Sequence, residues 1–228
     1  MRFGIVVFPG SNCDSDCHDV LSRIIGERVV MIEHHEKKLS AVDALILPGG
    51  FSYGDYLRAG AIARTSPIMK AIYSFAKNGG KILGICNGFQ ILTEAGLLPG
   101  ALLRNRSMKF ICKSTYVTIQ NSNSFFTSLY KQNEVISMPI AHGEGNYYID
   151  EQGMASLKEN NQIIFRYCDQ MGSISDATNP NGSIEHIAGI CNKEGNVMGM
   201  MPHPERVSDP VLGGIDGARL FLSLLEGR

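Results

Sequence analysis

Three short apolar runs in the first half of the chain most constrain its fold. They read "GIVVF" (4–8), "ALILP" (44–48) and "KILGI" (81–85), and none alternates between apolar and polar residues. Unbroken runs of this length are typical of strands buried on both faces of a parallel sheet. The segments 13–26 and 60–76 between them have helical character. This β-α-β-α-β order predicts an α/β fold with a doubly wound, mostly parallel sheet.

The second half of the chain predicts further strands and a closing helix. These are strands over 114–120 and 134–149, which we interpret as an antiparallel extension, short strands over 162–168, 186–191 and 196–201, and an amphipathic helix over 217–227. No repeat or linker interrupts the sequence, and 228 residues are hardly enough for two catalytic domains. We therefore predict that residues 1–228 form a single domain.

Composition and charge exclude several classes of function. A formal charge of −1 with 19% charged residues gives no field that attracts nucleic acid or an anionic membrane. The apolar start is too short for a signal peptide and no run reaches transmembrane length, so we expect a cytoplasmic protein. The six cysteines are scattered, which favours reduced thiols. Cys13, Cys17 and His18 form the only local cluster, and because no zinc-type partner set follows, we expect no metal site.

The third apolar run leads into a cysteine within a G-x-C-x-G frame. Gly84, Cys86 and Gly88 fit a nucleophile elbow, a sharp strand-to-helix turn whose flanking glycines relieve crowding. At a helix N-terminus a thiolate faces unpaired N–H groups and the positive end of the dipole, which favours the reactive form. The alternative is that Cys86 only packs in the core, as most free cysteines do. The frame alone leaves both open.

A second loop, "MPHPER" (201–206), supplies a histidine and a carboxylate. Prolines push the residues before them into extended geometry, so His203 and Glu205 are expected to point to the same side. Glu205 can then hold one imidazole nitrogen and leave the other for a thiol. A surface turn with a solvated ion pair is the alternative. An elbow cysteine on a preceding strand favours the catalytic interpretation.

An acyl-transfer site also needs an oxyanion hole, and "PGGFSYGDYLRAG" (48–60) offers one. Gly49 and Gly50 let backbone N–H groups approach a reacting carbonyl, and the N–H of Asn87 is the usual second donor. The alternative is a plain turn, although the aromatic residues and the arginine exceed what a connection needs. Neither a P-loop nor a dinucleotide fingerprint occurs.

Taken together, these motifs resemble those of the class I, triad-type glutamine amidotransferases. "FPGSNCD", "LPGGFSYGDYLRAGAIAR", "GICNGFQIL", "AHGEGN" and "GMMPHPER" are similar in particular to the glutaminase subunits of phosphoribosylformylglycinamidine synthases. The resemblance implies a flavodoxin-like sheet, with Cys86 as nucleophile, His203 as base and acid, and Glu205 as its orienting residue. It also implies an oxyanion hole at Gly50 and Asn87. The substrate-binding residues that it implies are Gly49, Phe51, Gln90, His142, Gly143 and Glu144.

The resemblance also implies partners. L-Glutamine would be the substrate, and the ammonia would pass to a large synthase subunit that binds ATP and Mg²⁺, together with a small accessory subunit. No cofactor is expected in this chain. We expect Tyr53, Tyr56 and Arg58 to mark the docking face. Three alternatives remain: another cysteine-elbow hydrolase or peptidase on a similar sheet, a glutaminase that serves another synthase, and a non-catalytic binding module.

Overall fold

The computed structural model of the chain describes residues 1–226, which form eleven strands and five α-helices. The strands are β1 (Arg2–Val7), β2 (Arg28–Glu33), β3 (Ala44–Leu47), β4 (Lys81–Ile85), β5 (Ala101–Leu103), β6 (Ile111–Ile119), β7 (Val135–His142), β8 (Asn146–Tyr148), β9 (Ile163–Cys168), β10 (Ile187–Cys191) and β11 (Val197–Met200). The helices are α1 (Asp14–Asp19), α2 (Met69–Lys77), α3 (Asn87–Glu94), α4 (Glu151–Glu159) and α5 (Ala218–Glu226).

Nine strands form one sheet in the order β2-β1-β3-β4-β11-β10-β9-β6-β7. The strands from β2 to β11 in this order run parallel to one another. The strands from β10 to β7 are antiparallel to their neighbours. The predicted doubly wound sheet with an antiparallel extension is therefore confirmed. The connections from β1 and β3 leave in opposite directions along the sheet, and ligands bind beyond the carboxyl ends of strands at such a point.

The three apolar runs form β1, β3 and β4, and every residue of β3 is buried. Strand β2 was not predicted, because this edge strand is mostly exposed or half-buried and carries no unbroken apolar run. The strand predicted over 134–149 was too long. It ends as β7 at His142, and after a short turn β8 pairs with β5 in a separate two-stranded sheet.

The helix predicted over 60–76 begins only at Met69, so its first part was wrong. Ser66 precedes Pro67 and is extended, with φ −62° and ψ 145°, as the steric demand of a following proline requires. Gly60 has φ +81°, and a side chain there would lie 2.8 Å from backbone atoms of α3. Close packing of this loop on α3 therefore overrides the local helical pattern.

The closing helix is confirmed as α5, with its apolar face in the core. Gly227, at the end of the predicted range 217–227, lies outside the described residues. Across residues 1–226, no helix combines the length and the apolar character needed to cross a membrane. That residues 1–228 form a single domain stays a prediction.

Helix α3 packs on the sheet with almost no space to spare. A Cβ on Gly88, in the first turn of α3, would lie 1.9 Å from the carbonyl oxygen of Leu47 at the end of β3. A Cβ on Gly84 would in turn lie 2.7 Å from the carbonyl carbon of Gly88. Only glycine at these two positions allows the turn between β4 and α3 to come this close to β3.

We expect Gly88→Ala to lower the free energy of unfolding by roughly 1–3 kcal/mol, because the added methyl group forces α3 away from β3. Urea denaturation measures the change. Gly214→Ala is the matched control, since a Cβ there would meet nothing within 4 Å, and it should change stability by less than about 0.5 kcal/mol. Equal stabilities of the two variants would contradict this packing argument.

Candidate active site

A cavity of ≈210 Å³ lies between the loops after β3 and β4, the segment between β5 and β6, and the end of β7. Seven residues expected at the site line it: Gly50, Phe51, Cys86, Gln90, His142, Gly143 and Glu144. Asn87, His203, Glu205 and Gly49 are not among the lining residues, and lie deeper in the protein or behind the cavity wall. Gly49 lies against the ring of His203, and its contact with the substrate stays a prediction.

Cys86 occupies the turn between β4 and α3 in a strained conformation. Its φ of 48° and ψ of −101° are unusual for a residue with a side chain, and strain of this kind is concentrated at functional sites. The thiol is almost fully buried, with Sγ 3.6 Å from the carbonyl oxygen of Ala141. Because Cys86 caps an eight-residue helix, its sulfur lies at the positive end of that helix. The geometry matches the predicted elbow.

His203 and Glu205 form a buried pair. Nδ1 of His203 lies 2.6 Å from Oε1 of Glu205, and both side chains are about 1% exposed or less. His203 is extended, as expected, but Pro204 begins a 3₁₀ turn, so the two side chains do not meet through strand alternation. The N–H of His203 donates to the carbonyl oxygen of Pro139 on β7, which fixes the loop to the sheet.

The charge of His203 depends on its neighbours. Burial opposes a charged ring, but the Glu205 carboxylate and the Cys86 thiol outweigh burial and hold the pKa of His203 well above its usual range. Nε2 is buried without a hydrogen-bond partner within the described residues. Since Glu205 occupies Nδ1, Nε2 is the nitrogen left for exchange of a proton with Cys86.

The loop after β3 packs closely against the loop after β1 at Gly50. Gly50 has φ +143°, and a Cβ there would lie 2.8 Å from backbone atoms of Ser11 and Asn12. Asn87 is the first residue of α3, so its N–H has no partner within the helix. Its side-chain oxygen accepts from the N–H of Ser52 at 3.1 Å, which ties the loop to α3. Gly50 lines the same cavity as Cys86, and Asn87 directly follows Cys86 in the chain. That their N–H groups form the oxyanion hole stays a prediction.

Gln90 and Glu144 join α3 to the turn between β7 and β8. Nε2 of Gln90 donates to the backbone oxygen of Glu144 at 2.6 Å, and Oε1 of Gln90 accepts from Asn87 at 2.8 Å. One carboxylate oxygen of Glu144 accepts from the N–H of Ala59 at 3.1 Å, and the other lies 3.9 Å from Nε of Arg104. These contacts join the cavity wall at Glu144 to α3 and to the loop after β3.

His142 is a neutral wall residue. Burial, together with the nearby His203, lowers the pKa of His142 to about 4. Its Nδ1 lies 3.1 Å from Oδ1 of Asn105, which holds the ring in place. His142 therefore contributes shape and a neutral imidazole to the cavity.

Asp55 was not predicted as a site residue, although it lies in the "GGFSYGD" motif. Asp55 lines the cavity, and Nδ2 of Asn87 donates to its Oδ1 at 3.4 Å. Burial and the carboxylate of Glu144 raise the pKa of Asp55 to about 6. The carboxylates of Asp55 and Glu144 therefore both line the cavity. A carboxylate directly before an aromatic residue in a glycine-rich loop was the available signal.

Two of the three residues expected at a docking face have partners inside the chain. The hydroxyl of Tyr53 lies 2.9 Å from Nδ1 of His34, and the side chain is half-buried. Nη2 of Arg58 donates to Glu94 at 2.7 Å. Tyr56 is 74% exposed and remains available. The docking face at Tyr53, Tyr56 and Arg58 stays a prediction.

The sequence matches known proteins along most of its length. Residues 1–215 match the family model described as the CobB/CobQ-like glutamine amidotransferase domain. The chain is 56% identical to phosphoribosylformylglycinamidine synthase subunit PurQ of Moorella thermoacetica, with 99% of this chain and 96% of the relative covered. It is 52% identical to the subunit of the same name from Aquifex aeolicus, with 99% and 100% covered.

Solved structures share the fold. A chain in a structure of PurLQS from Thermotoga maritima is 44% identical and superposes with a TM-score of 0.87, with 99% of this chain and 98% of that chain covered. The glutaminase domain of a Trypanosoma brucei CTPS with bound acivicin has a TM-score of 0.61 at 12% identity, with 99% and 94% covered. The second similarity shows a common fold alone.

We expect Asp55→Asn to raise the melting temperature at pH 8 and to have little effect near pH 4. The pKa of Asp55 is raised on folding from 3.8 to about 6, so its contribution to stability is present below about pH 4 and is lost as the pH rises through about 6. The amide cannot ionise beside Glu144 and avoids this loss. Thermal unfolding at a series of pH values measures the difference.

Glu159→Gln is the control for this series, because Glu159 is an exposed carboxylate at the end of α4. It should change stability by less than about 0.5 kcal/mol at any pH. An Asp55→Asn variant that is less stable than the wild type at pH 8 would contradict the repulsion inferred between Asp55 and Glu144.

Proposed function

The chain belongs to the CobB/CobQ-like glutamine amidotransferase family, and we propose that it releases ammonia from L-glutamine through a thioester on Cys86. It is the glutaminase subunit of phosphoribosylformylglycinamidine synthase in purine biosynthesis, since relatives of that name match it over nearly their whole length. We infer from the geometry which residues perform the reaction and where the substrate binds. The partners beyond the synthase are likewise a proposal.

One observation carries the proposed mechanism: a buried imidazole–carboxylate pair lies behind a strained elbow cysteine at the wall of a small cavity. His203 and Glu205 are 2.6 Å apart, and Cys86 contributes to the raised pKa of His203. A cavity of ≈210 Å³ is smaller than the roughly 300–1,000 Å³ of sites for drug-sized ligands, and suits a ligand as small as one amino acid.

The proposed reaction has two halves. The Cys86 sulfur attacks the side-chain amide carbon of glutamine, and the N–H groups of Gly50 and Asn87 stabilise the oxyanion. His203, which took the thiol proton, gives it to the departing nitrogen, and ammonia leaves. Water then attacks the thioester with His203 as base, and glutamate and the free thiol are released. Glu205 holds the ring and stabilises its charged form throughout.

The charges around the cavity suit the amino-acid end of glutamine. Asp55 and Glu144 both line the cavity, and the Glu144 carboxylate adds to burial in raising the pKa of Asp55. An ammonium group placed there removes their repulsion and restores the charge of Asp55. Arg104 and Lys109 line the same cavity and can attract the carboxylate of the substrate. L-Glutamine carries both charges.

The ammonia needs an acceptor close by. In water at neutral pH it becomes ammonium and is no longer nucleophilic, so a synthase must receive it directly. We propose that the large synthase subunit, with ATP and Mg²⁺, docks over the cavity, and that a small accessory subunit completes the complex. Exposed apolar side chains near the cavity support this docking face: Phe51, Tyr56, Leu57, Met108 and Phe110.

We expect Cys86→Ala to reduce glutamate release from glutamine by at least about 10³-fold, because no other group can form the thioester. The rate is measured for the chain alone and with the synthase subunit, and the wild-type rate should be low without that partner. Cys112→Ala is the matched control, since Cys112 is an exposed thiol on β6, and it should retain the wild-type rate.

Glutamate release that survives in Cys86→Ala would overturn the mechanism. Hydrolysis of peptides by the wild-type chain without a partner would favour a cysteine peptidase instead. Glutaminase activity that responds only to a different synthase would place the chain in another complex.

A further inference from the structure

A second buried cysteine contacts the proposed catalytic pair, and the mechanism does not use it. Cys13 lies in the loop after β1, is 1% exposed, and has its Sγ 4.0 Å from Nδ1 of His203. This is the nitrogen that Glu205 already holds at 2.6 Å. Cys13 therefore does not replace Glu205 as a partner of His203, and its role must lie with another neighbour.

That neighbour is Arg206. Its Nη2 donates to Sγ of Cys13 at 3.2 Å, while its Nε lies 3.9 Å from Oε1 of Glu205. The thiol proton has a separate acceptor, because Sγ lies 3.3 Å from Oδ1 of Asn12. The Arg206 guanidinium therefore hydrogen-bonds to the sulfur of Cys13 but lies too far from Glu205 for a hydrogen bond.

Glu205 offers Arg206 a second arrangement. Its Oε2 is buried and has no hydrogen-bond partner within residues 1–226. A buried carboxylate oxygen without a donor is costly, and guanidinium groups bind carboxylates through two parallel hydrogen bonds. Arg206 and Glu205 both line a cavity of ≈600 Å³, which gives the guanidinium space to turn. A paired Arg206 would compete with His203 for Oε1.

We propose that Cys13 is a positioning residue whose sulfur holds the Arg206 guanidinium away from Glu205, so that Glu205 continues to orient His203. This inference rests on the proposed function of the His203–Glu205 pair. It explains why a buried thiol and a half-buried arginine meet behind the site although their positions are far apart in the sequence.

A metal site is the other interpretation of this cluster. Sγ of Cys13 and the ligand atoms of His203 and Glu205 lie within 4.8 Å of one another, a spacing suited to a thiophilic ion. The guanidinium of Arg206 contacts the same sulfur and repels a second cation. The charge of Arg206 therefore favours the positioning role.

The test measures kcat and KM for glutamine in the complex with the synthase subunit. We expect Cys13→Ala to lower kcat by about 10- to 100-fold, the usual effect of losing a residue that orients another, and to leave KM within about threefold. Cys13→Ser keeps an acceptor for Arg206 and should retain most of the wild-type kcat. Cys17→Ala removes a neighbouring buried thiol and should lower stability without lowering kcat.

A double variant separates positioning from packing. If Arg206 causes the loss, adding Cys13→Ala to Arg206→Gln should reduce kcat by less than about threefold, because no guanidinium remains to capture Glu205. An unchanged 10- to 100-fold loss in the Arg206→Gln background would overturn the inference, as would a wild-type kcat in Cys13→Ala. Circular dichroism and thermal unfolding confirm that each variant is folded.

The proposed function has its own control in the same assay. Cys86→Ala must be inactive in every background if Cys86 is the nucleophile. If the Cys13 variants do not show the expected changes in kcat while Cys86→Ala is inactive, only the positioning role is rejected. An active Cys86→Ala would reject the mechanism on which that role rests.

Discussion

The close contact between α3 and the end of β3 is the constraint on which the proposed site depends. Because Gly88 carries no side chain, α3 begins directly against Leu47, and Cys86 must turn between β4 and α3 with a positive φ. This turn leaves the thiol at a helix N-terminus and frees the N–H of Asn87. A larger residue at position 88 would displace the nucleophile and the oxyanion donor together.

The loops that carry Asp55, Glu144, His203 and Glu205 place charged groups near this turn, and their burial lowers the stability of the fold. His203 and Glu205 are both buried, and Glu205 keeps one oxygen without a donor. Asp55 faces Glu144 with a raised pKa. Unpaired and like-charged groups of this kind destabilise a fold, and proteins retain them where chemistry needs them. Substrate charges would offset the repulsion between Asp55 and Glu144. Behind the site, we propose that Cys13 holds Arg206 away from Glu205, so that Oε2 of Glu205 stays without a donor.

The sequence predicted the elements whose local pattern agrees with the fold. The unbroken runs gave β1, β3 and β4, and the G-x-C-x-G frame located the elbow. Strand β2 was not predicted because it is an exposed edge strand. Helix α2 was predicted to begin too early, because the packing of Gly60 and the extended geometry that Pro67 imposes override the helical pattern. Asp55, Cys13 and Arg206 acquire their roles from contacts with residues far away in the chain. The contacts of Cys13 and Arg206 leave no local pattern, so only the structure could reveal them, whereas Asp55 stands within a motif that the sequence displays.

The claim that Cys86 is the nucleophile is tested most directly by covalent labelling of the full chain. The reagent is a glutamine analogue with an electrophilic carbon in place of the side-chain amide, and peptide mass spectrometry locates the adduct. We predict one equivalent on Cys86, protection by L-glutamine, and no labelling of Cys86→Ala. An adduct on Cys13 or any other cysteine, or labelling that L-glutamine does not prevent, would contradict the account.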